Sequence, residues 1–346
     1  MKSLYLNYRF LYLLLSYPLI SCEPEPIEVC NTDQQSLYQR YDFPVGVAIE
    51  PPHTTEPIVQ TQFNSITPSN RFKPEFIHPQ EKTFYWHHAD LLVDYALANE
   101  KRLHAHTLIW HEQLPIWMEN FQGSKSDWEA MMKHHISTIV KRYKGKVQAW
   151  DVINEAFLED GTLRPNIWLK NIGSSYIEKA FQYAHEADPE ALLFYNDFNL
   201  SFRPTKRKAV LDLMTNLKLR GVPIHGIGMQ SHISTIFPSD QDFISTMEKI
   251  TQAGFKLHIS ELDISVNSIS KEKFELTDEM LQRQAQRYRF IFNNYQRIEK
   301  QYQHGITIWG VSDGESWIPN YFGREDYPLL FDEFFNPKPA YCGLIK

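Results

Sequence analysis

The strongest constraint on the fold is a strand-forming pattern that recurs eight times along the chain. Each short run is rich in apolar or β-branched residues, and helical patterns separate most of the runs. The runs cover residues 43–50, 61–68, 102–110, 147–155, 191–198, 224–232, 256–264 and 305–313. This alternation predicts an α/β fold, a single (β/α)8 TIM barrel over residues 41–346. An open doubly wound sheet is the alternative, and it is disfavoured because no glycine-rich phosphate loop follows the first run.

Two helical segments carry recognisable ends. Residues 126–143 repeat apolar side chains at helical spacing, and Ser126 with Glu129 predicts a capping box at the start. Residues 243–253 show the same spacing, and Gly254 is expected to end that helix. Both segments lie between strand runs, as the barrel requires.

Composition narrows the class of protein and its partners. The 346 residues include 22 Phe, 18 Tyr and 8 Trp, which excludes a disordered chain, a collagen-like chain and a disulfide scaffold. The 35 Lys and Arg residues against 42 Asp and Glu residues give a net charge of −7. Since phosphate binding needs clustered cations, we expect no nucleic-acid partner. We also expect the protein to be a monomer.

The first residues are expected to be a targeting segment. Lys2 and Arg9 precede an apolar run at residues 10–20, which is typical of a secretory signal and too short for a mature membrane span. The sequence Leu-Ile-Ser-Cys that ends at Cys22 resembles a bacterial lipoprotein box, in which this cysteine becomes the lipidated N-terminus.

This interpretation predicts a signal at residues 1–21 and a tether at residues 22–40. The protein would be exported and held at the cell envelope, at the outer membrane or the cell surface, with the lipid at Cys22 as its only membrane contact. In the alternative, cleavage is ordinary, Cys22 is an incidental thiol, and the protein is periplasmic or secreted. Cys30 and Cys342 lie near opposite ends of the chain and are either disulfide-bonded or free.

Polar and aromatic residues follow the predicted strands at their carboxyl ends, which in such barrels form the active face. They include Glu50, His111, Asn154, Glu155, Asn196, Asp197, Gln230, His232, Glu261, Asp263, Trp309 and Asp313. Glu155 follows the fourth run and Glu261 lies near the end of the seventh. Glycoside cleavage needs one carboxylic acid to protonate the leaving oxygen and one carboxylate to attack or to activate water, so this pair predicts that chemistry.

The residues around these carboxylates resemble one enzyme family. Segments 150–155 (Trp-Asp-Val-Ile-Asn-Glu) and 259–264 (Ile-Ser-Glu-Leu-Asp-Ile) look like the acid/base and nucleophile motifs of glycoside hydrolase family 10, the endo-β-1,4-xylanases. Further matches follow in order at residues 63–68, 70–73, 106–117, 195–197, 226–232, 309–313 and 338–341. Each motif alone is weak, but the ordered set spans essentially the whole predicted barrel.

The resemblance implies a retaining, endo-acting hydrolase that cleaves β-1,4-xylosidic bonds in xylan without a cofactor or metal. Glu155 would be the general acid/base and Glu261 the nucleophile, with carboxyl groups about 5–5.5 Å apart. Asn154 would bind the sugar 2-hydroxyl, and His232, held by Asp263, would orient Glu261. The resemblance also implies sugar-binding roles for Asn70, Lys73, His111 and Gln113 on the non-reducing side of the cut, for Gln230 near the reacting sugar, and for Trp309 and Trp317 as flat platforms.

The chain departs from the family pattern at four places. The family usually has Glu-Asn-Glu-Met-Lys-Trp where this chain has Ser-Asn-Arg-Phe-Lys-Pro at residues 69–74, so Ser69 replaces a sugar-binding carboxylate. Pro74 in turn replaces a tryptophan. His104-Ala105 stands for the usual Arg-Gly, and Ile318 follows Trp317 where arginine is common. We therefore expect altered or weaker sugar binding on the non-reducing side, with the cleavage residues intact.

Three other functions fit parts of the sequence. A metal-dependent hydrolase could use His104, His106, His232 and Asp313, although a His-x-His pair of that kind belongs on the first strand and here lies on the third. A non-catalytic lipoprotein could bind polysaccharide, but decay usually reaches the catalytic carboxylates, and both are present. A hydrolase of related β-1,4-glucans also fits, because sugar identity depends on details of the pocket.

Overall fold

The computed structural model describes residues 30, 32, 35–269 and 274–346, and this part of the chain contains nine β-strands. They are Val45–Ile49 (β1), Ser65–Pro68 (β2), Arg102–Ile109 (β3), Ala149–Asn154 (β4), Leu192–Asp197 (β5), Gly226–Met229 (β6), His232–Ser234 (β7), Lys256–Ser265 (β8) and Gln303–Ile308 (β9). The strands pair in parallel in the order β6-β5-β4-β3-β2-β1-β9-β8-β7, and pairing of β6 with β8 closes the sheet. The predicted (β/α)8 barrel is thereby confirmed.

The sixth predicted run forms two strands rather than one. Residues 224–232 are interrupted between β6 and β7 at Ser231, whose backbone has φ +66° in the left-handed region. Beyond the interruption, β7 pairs with β8, with His232 opposite Asp263. The break therefore brings a histidine and a buried aspartate side by side at the carboxyl end of the barrel.

Helices lie between the strands and cover the outside of the barrel. They are Pro57–Gln62 (α1), Pro74–Ile77 (α2), His87–Ala98 (α3), Ile116–Glu119 (α4), Lys125–Arg142 (α5), Ile167–Ile172 (α6), Ser175–Ala187 (α7), Pro204–Leu219 (α8), Asp240–Gln252 (α9), Asp278–Gln296 (α10), Trp317–Phe322 (α11) and Pro339–Ile345 (α12). Short 3-10 helices occupy Leu37–Arg40, Pro51–Thr55, Lys300–Tyr302 and Asp313–Glu315. Among the described residues, no helix combines the length and apolar character needed to cross a membrane.

Two helix ends test the capping predictions. The helix α5 begins one residue before the predicted start, and its cap is Ser124 with Asp127, so the predicted capping box of Ser126 and Glu129 is wrong. The backbone N–H of Ser124 donates to the Asp127 carboxylate at 2.8 Å, an interaction that a shorter acidic side chain makes as well as a glutamate. The helix α9 ends as predicted before Gly254, which has φ +78°.

The packed domain begins ahead of residue 41. Leu37 is fully buried, and its backbone N–H donates to Gln62 Oε1 at 3.0 Å, so the predicted tether does not extend to residue 40. Cys30 and Cys342 are joined by a disulfide with Cα atoms 5.5 Å apart, which settles the choice left open by the sequence. The predicted signal segment and Cys22 lie outside the described residues.

Candidate active site

A cleft of about 990 Å³ lies at the carboxyl ends of the barrel strands. It is lined by all but one of the catalytic and sugar-binding residues predicted from the sequence, which are Asn70, Lys73, His111, Gln113, Asn154, Glu155, Gln230, His232, Glu261, Trp309 and Trp317. The exception, Asp263, is fully buried and reaches the cleft only through its bonds to His232 and Trp317. The fold thus assembles the predicted set in one place, on the face where such barrels bind substrate.

Glu261 on β8 is a buried carboxylate, 5 % exposed, surrounded by donors. Asn196 Nδ2 at the end of β5 donates to its Oε1 at 2.7 Å, and His232 Nε2 lies 3.2 Å from its Oε2. Burial alone would raise the pKa of Glu261, but the imidazoles of His106 and His232 outweigh it and, with Asn196, lower the pKa below its usual value. Glu261 is therefore held ionised at neutral pH.

The charge beside Glu261 depends on Asp263. Its Oδ2 lies 2.8 Å from His232 Nδ1 and also accepts a 2.8 Å hydrogen bond from the Trp317 indole N–H. Burial lowers the pKa of His232, but the carboxylates of Asp263 and Glu261 outweigh burial and raise it to about 10. His232 is consequently an imidazolium at neutral pH, fixed in orientation between the two carboxylates.

Glu155 follows β4 with its backbone at φ +56°, in the strained left-handed region. Two hydrogen bonds hold it there: the Glu155 N–H donates to the Asn196 carbonyl at 2.9 Å, and Arg164 Nε donates to the Glu155 carbonyl at 2.9 Å. Burial raises the pKa of the Glu155 carboxyl, and the neighbouring Glu261 carboxylate raises it further. The two cleft carboxyls are therefore shifted in opposite directions, Glu155 toward the acid and Glu261 toward the anion.

A line of side-chain amides connects the two carboxyls. Gln230 Nε2 lies 2.9 Å from Glu155 Oε1 and 3.3 Å from Asn154 Oδ1. Asn196 Nδ2 lies 3.0 Å from Asn154 Oδ1 and bonds Glu261 as described above. Because each amide is anchored by the next, the carboxyls are held in a fixed relation across the reacting position.

The other end of the cleft is built around Glu50, which follows β1. Its Oε1 accepts from Ser69 Oγ at 2.6 Å and from Asn70 Nδ2 at 3.0 Å, and its Oε2 is ion-paired with Arg71. Lys73 Nζ then donates to Asn70 Oδ1 at 3.0 Å. A carboxylate therefore does lie against Ser69, although it comes from the neighbouring strand instead of from position 69 itself.

The remaining predicted residues complete the walls. Trp309 packs edge-on against the His232 ring at a centroid distance of 6.4 Å, and Trp317 does so at 4.9 Å. Burial lowers the pKa of His111 to about 4, so its imidazole is neutral and can accept or donate. Gln113 Nε2 lies 3.5 Å from Asn70 Oδ1, which links this residue to the Glu50 end of the cleft.

Sequence reasoning missed several contributors to the site, of which four bear on its chemistry. Asn196 and Glu50 were recognised only as residues at strand ends, while His106 and Arg164 were given no role in this chemistry. The alternation of side chains along a strand was the available signal for Asn196. Residues two apart in a strand share a face, so Asn196 lies on the same inward face of β5 as Phe194.

The metal-site alternative required four side chains to meet, namely His104, His106, His232 and Asp313. They do not: Asp313 is paired with Lys338 at 2.7 Å, and His104 and His106 lie on either side of Asp151. Among the described residues, one group of three side chains could hold a metal ion, His104 with His258 and His304, and it is buried inside the barrel.

Comparison with known proteins agrees with this geometry. The family model described as "Glycosyl hydrolase family 10" matches residues 34–346. The chain is 41% identical to an "Endo-1,4-beta-xylanase" of Geobacillus stearothermophilus over 88% of this chain and 96% of that protein. It is 38% identical to a "Beta-1,4-xylanase" of Dictyoglomus thermophilum over 99% of each. Among solved structures, xylanase 10B from Thermotoga petrophila RKU-1 in complex with xylobiose matches with a TM-score of 0.84 and 33% identity, covering 92% of this chain and 97% of that chain.

Proposed function

The chain belongs to glycosyl hydrolase family 10, and on that premise we propose that it is a retaining endo-1,4-β-xylanase that cleaves xylan by double displacement. The observation that carries this proposal is the pair of cleft carboxyls, Glu155 and Glu261, which a line of side-chain amides holds in place and whose pKa values are shifted in opposite directions, up for Glu155 and down for Glu261. Double displacement needs an acid that stays protonated beside a carboxylate that stays ionised.

In the first step a Glu261 carboxylate oxygen attacks the anomeric carbon. The bond from that carbon to the glycosidic oxygen breaks, and Glu155 gives its proton to the departing oxygen. A glycosyl ester on Glu261 and an ionised Glu155 result. Once Glu261 has lost its charge, the pKa of Glu155 falls, because the repulsion that raised it has gone.

In the second step water attacks the same carbon while Glu155 takes a proton from it. The ester bond to Glu261 breaks, and the sugar leaves with its original anomeric configuration. Throughout, His232 and Asn196 balance the charge that Glu261 carries before attack and after release. Asn154 binds the 2-hydroxyl of the reacting sugar, and Gln230 lies close to that sugar.

Sugar units on the non-reducing side of the cut occupy the end of the cleft with Asn70, Lys73, His111 and Gln113. There Glu50 supplies the carboxylate that the family pattern places at position 69, and it does so from an adjacent loop. Trp309 and Trp317 offer aromatic faces to the apolar C–H faces of pyranose rings. The xylan substrate is inferred from the family and from relatives that are named xylanases.

Release of reducing sugar from xylan tests the activity. We expect Glu261→Ala to lower the rate on the order of 10⁴-fold or more, the scale for loss of an essential nucleophile. Glu129→Ala, which removes a carboxylate on the outer helix α5, is the matched control and should keep the rate of the unchanged enzyme. Full activity in Glu261→Ala would reject the mechanism. If the protein without substitutions binds polysaccharide but does not cleave it, the non-catalytic alternative would be favoured.

Two further measurements define the reaction. The first product seen by NMR should carry the β configuration, and initial release of the α anomer would reject retention. Hydrolysis of an aryl xylobioside should be faster than hydrolysis of the matching aryl cellobioside. The reverse order would replace xylan with a β-1,4-glucan as the substrate.

We also propose that the protein is a monomer held at the cell envelope by a lipid on Cys22, a signal-anchored lipoprotein. This rests on the basic residues, apolar run and Leu-Ile-Ser-Cys sequence of the N-terminus. The protein should partition into the detergent phase, and Cys22→Ser should move it to the aqueous phase. Unchanged partitioning would reject the anchor, and light scattering on the detergent-free Cys22→Ser protein should give the mass of one chain.

A further inference from the structure

The proposed reaction does not use a layer of rings inside the barrel. His104 on β3, His258 on β8 and His304 on β9 are buried together, and Phe194 on β5 completes the layer. The three imidazole centroids are 4.4–5.1 Å apart, and one nitrogen of each lies within 4.8 Å of the others. Such a cluster can hold either a metal ion or a chain of hydrogen bonds, and its neighbours decide which.

Arg102 fixes where the protons lie in this layer. Its NH1 donates to the His304 carbonyl at 2.8 Å and its NH2 lies 3.4 Å from His304 Nδ1. A guanidinium can only donate, so Nδ1 of His304 is the accepting nitrogen and Nε2 carries the proton. That Nε2 lies 3.0 Å from His104 Nδ1 and donates to it, which leaves the proton of His104 on its own Nε2.

The proton on His104 faces a buried carboxylate. His104 Nε2 lies 2.9 Å from Asp151 Oδ1 in a close polar contact that lacks hydrogen-bond geometry, and neither atom has a hydrogen-bond partner within the described residues. The second oxygen of Asp151 accepts from His106 Nδ1 at 2.9 Å, and this same nitrogen lies 4.0 Å from Glu261 Oε1. A series of polar contacts, the last of them 4.0 Å long, therefore leads from Arg102 on the opposite side of the layer to the nucleophile.

We propose that His104 and His304 are positioning residues for the nucleophile, acting through Asp151 and His106 on Glu261. This inference rests on the proposed function, because it assigns the layer to the reaction of Glu261. Position 104 is also where the chain departs from the arginine usual in the family pattern, so the arrangement belongs to this chain's own residues.

The ionisation of Asp151 agrees with the geometry. Burial raises its pKa, but the imidazoles of His104 and His106 outweigh burial and bring the pKa below its ordinary value. An ionised Asp151 holds the His106 Nδ1 proton in place, and the His106 imidazole in turn lowers the pKa of Glu261. Asp151 Oδ1 already lacks a hydrogen bond, so removing the 2.9 Å contact with His104 Nε2 would take away its nearest polar neighbour and weaken the hold of Asp151 on His106.

A metal ion fits these neighbours poorly. Binding through His104 Nδ1 and His304 Nε2 would move the His304 proton to Nδ1, where it would face the donor groups of Arg102. The guanidinium would also repel a cation at this short range. Burial lowers the pKa of both His258 and His304, and the Arg102 guanidinium lowers it further, so the layer disfavours positive charge.

Several other titratable groups face the ends of this chain of contacts. Asp151 is faced by His258 from β8 in addition to His104 and His106 from β3. Glu261 is faced by His106, His232, Glu155, Asp263 and Lys73. A variant that tests His104 or His304 leaves the groups around Glu261 in place, so a shift in the titration of Glu261 reports the chain of contacts.

The experiment measures kcat and KM for an aryl xylobioside across pH in His104→Leu, His304→Leu and His304→Gln. In His104→Leu we expect kcat/KM to fall about tenfold through kcat, with KM little changed, and the acidic limb of the pH profile to move to higher pH. His304→Leu should show a smaller change of the same kind. His304→Gln should restore the profile, because its amide can accept from Arg102 and donate to His104.

His258→Leu is the matched control, since it makes the same ring-to-leucine change in the same layer. Its Nε2 contacts Thr307 Oγ1 at 2.9 Å, and it lies off the path from Arg102 to Asp151. The control should keep the acidic limb of the unchanged enzyme. An equal shift in His258→Leu, or failure of His304→Gln to restore the profile, would overturn the inference.

A second measurement needs no substrate. Nitrogen-15 NMR of the imidazoles should show neutral His104 and His304 with protons on Nε2. Protons on Nδ1, or about one equivalent of zinc that is lost in His258→Leu, would overturn the positioning role in favour of another tautomer or a metal site. If the protein without substitutions shows the expected tautomers but does not hydrolyse xylan, the proposed function is rejected and this role with it. An active protein with the wrong tautomers would reject this role alone.

Discussion

Two ends of the same cleft are built in different ways. One is the reacting centre, which consists of Asn154, Glu155, Asn196, Gln230, His232, Glu261 and Asp263. The other is the non-reducing edge, which consists of Glu50, Ser69, Asn70, Arg71 and Lys73. The reacting centre matches the family pattern residue by residue, whereas the non-reducing edge keeps a carboxylate but takes it from a different loop.

Burial explains why the two ends tolerate change differently. The side chain of Glu261 is 6 % exposed, whereas those of Glu50 and Arg71 are 19 % and 26 % exposed. In the drier surroundings of Glu261 the charge needs a specific partner, since an unpaired buried charge is very unfavourable. At the wetter edge, solvent screens the ion pair and another residue can supply the same charge. Substitutions should therefore have large effects at the reacting centre and small ones at the edge.

Among substitutions that leave both cleft carboxyls in place, the largest effect is expected from Asn196→Ala. Asn196 Nδ2 bonds both Glu261 and Asn154, so its loss removes one donor from the nucleophile and releases the amide line to Glu155. We expect kcat on xylan to fall about 100-fold, as for loss of one preorganised donor in a buried site. Asn216→Ala on the exposed face of α8 is the control. A change below about threefold would show that the two ends do not differ in sensitivity.

A second test uses pH. Asp263→Asn removes the carboxylate that raises the pKa of His232, so His232 loses its charge and the pKa of Glu261 rises. Glu261 must be ionised to attack, and activity is lost as pH falls through its pKa. The acidic limb of kcat/KM should therefore move to higher pH, with roughly a tenfold loss below neutral pH.

The alkaline limb of the same profile serves as the internal control. It reports Glu155, which must be protonated and loses activity as pH rises through its raised pKa. Because Asp263 does not contact Glu155 directly, this limb should stay in place. An acidic limb that does not move in Asp263→Asn would contradict the role of His232 in holding Glu261 ionised.

The two ends also differ in how well the sequence predicts them. Glu155, Glu261 and His232 lie within short motifs at strand ends, so the order of residues along the chain was enough to identify them. The contact of Glu50 with Ser69 joins loops that follow different strands, and local sequence carries no signal for it. The eight-run pattern similarly predicted the barrel but missed the break at Ser231, because a left-handed serine leaves no mark in hydrophobic periodicity.

The transfer of the carboxylate to Glu50 can be tested by reversing it. Glu50→Gln should raise KM for an aryl xylobioside about tenfold, a loss expected for one charged hydrogen bond to a sugar hydroxyl. An aryl xyloside places one sugar on that side of the cut, so its hydrolysis should change little. Adding Ser69→Glu to Glu50→Gln should restore KM, since it returns a carboxylate to the same place.

Equal losses on the two substrates would contradict this interpretation. They would show that Glu50 acts on the reacting centre, for example through Asn70 and Lys73, and not on a distant sugar. If KM does not recover in the double variant, the edge depends on the direction from which the carboxylate enters. The edge would then be as sensitive to substitution as the reacting centre.

The smallest effect is expected from Arg71→Gln. Arg71 pairs with Glu50 at the rim and lies over the Phe76 ring with its guanidinium carbon 5.2 Å from the centroid. An ion pair at the protein surface contributes about 0.2–1 kcal/mol, so for this partly exposed pair KM for the aryl xylobioside should rise only about twofold. Because salt screens such a pair, the variant and the unchanged enzyme should converge between about 0.01 M and about 1 M salt. If the difference in KM persists at high salt, Arg71 stabilises the edge by packing on Phe76. Screening by solvent would then not explain why the edge tolerates substitution.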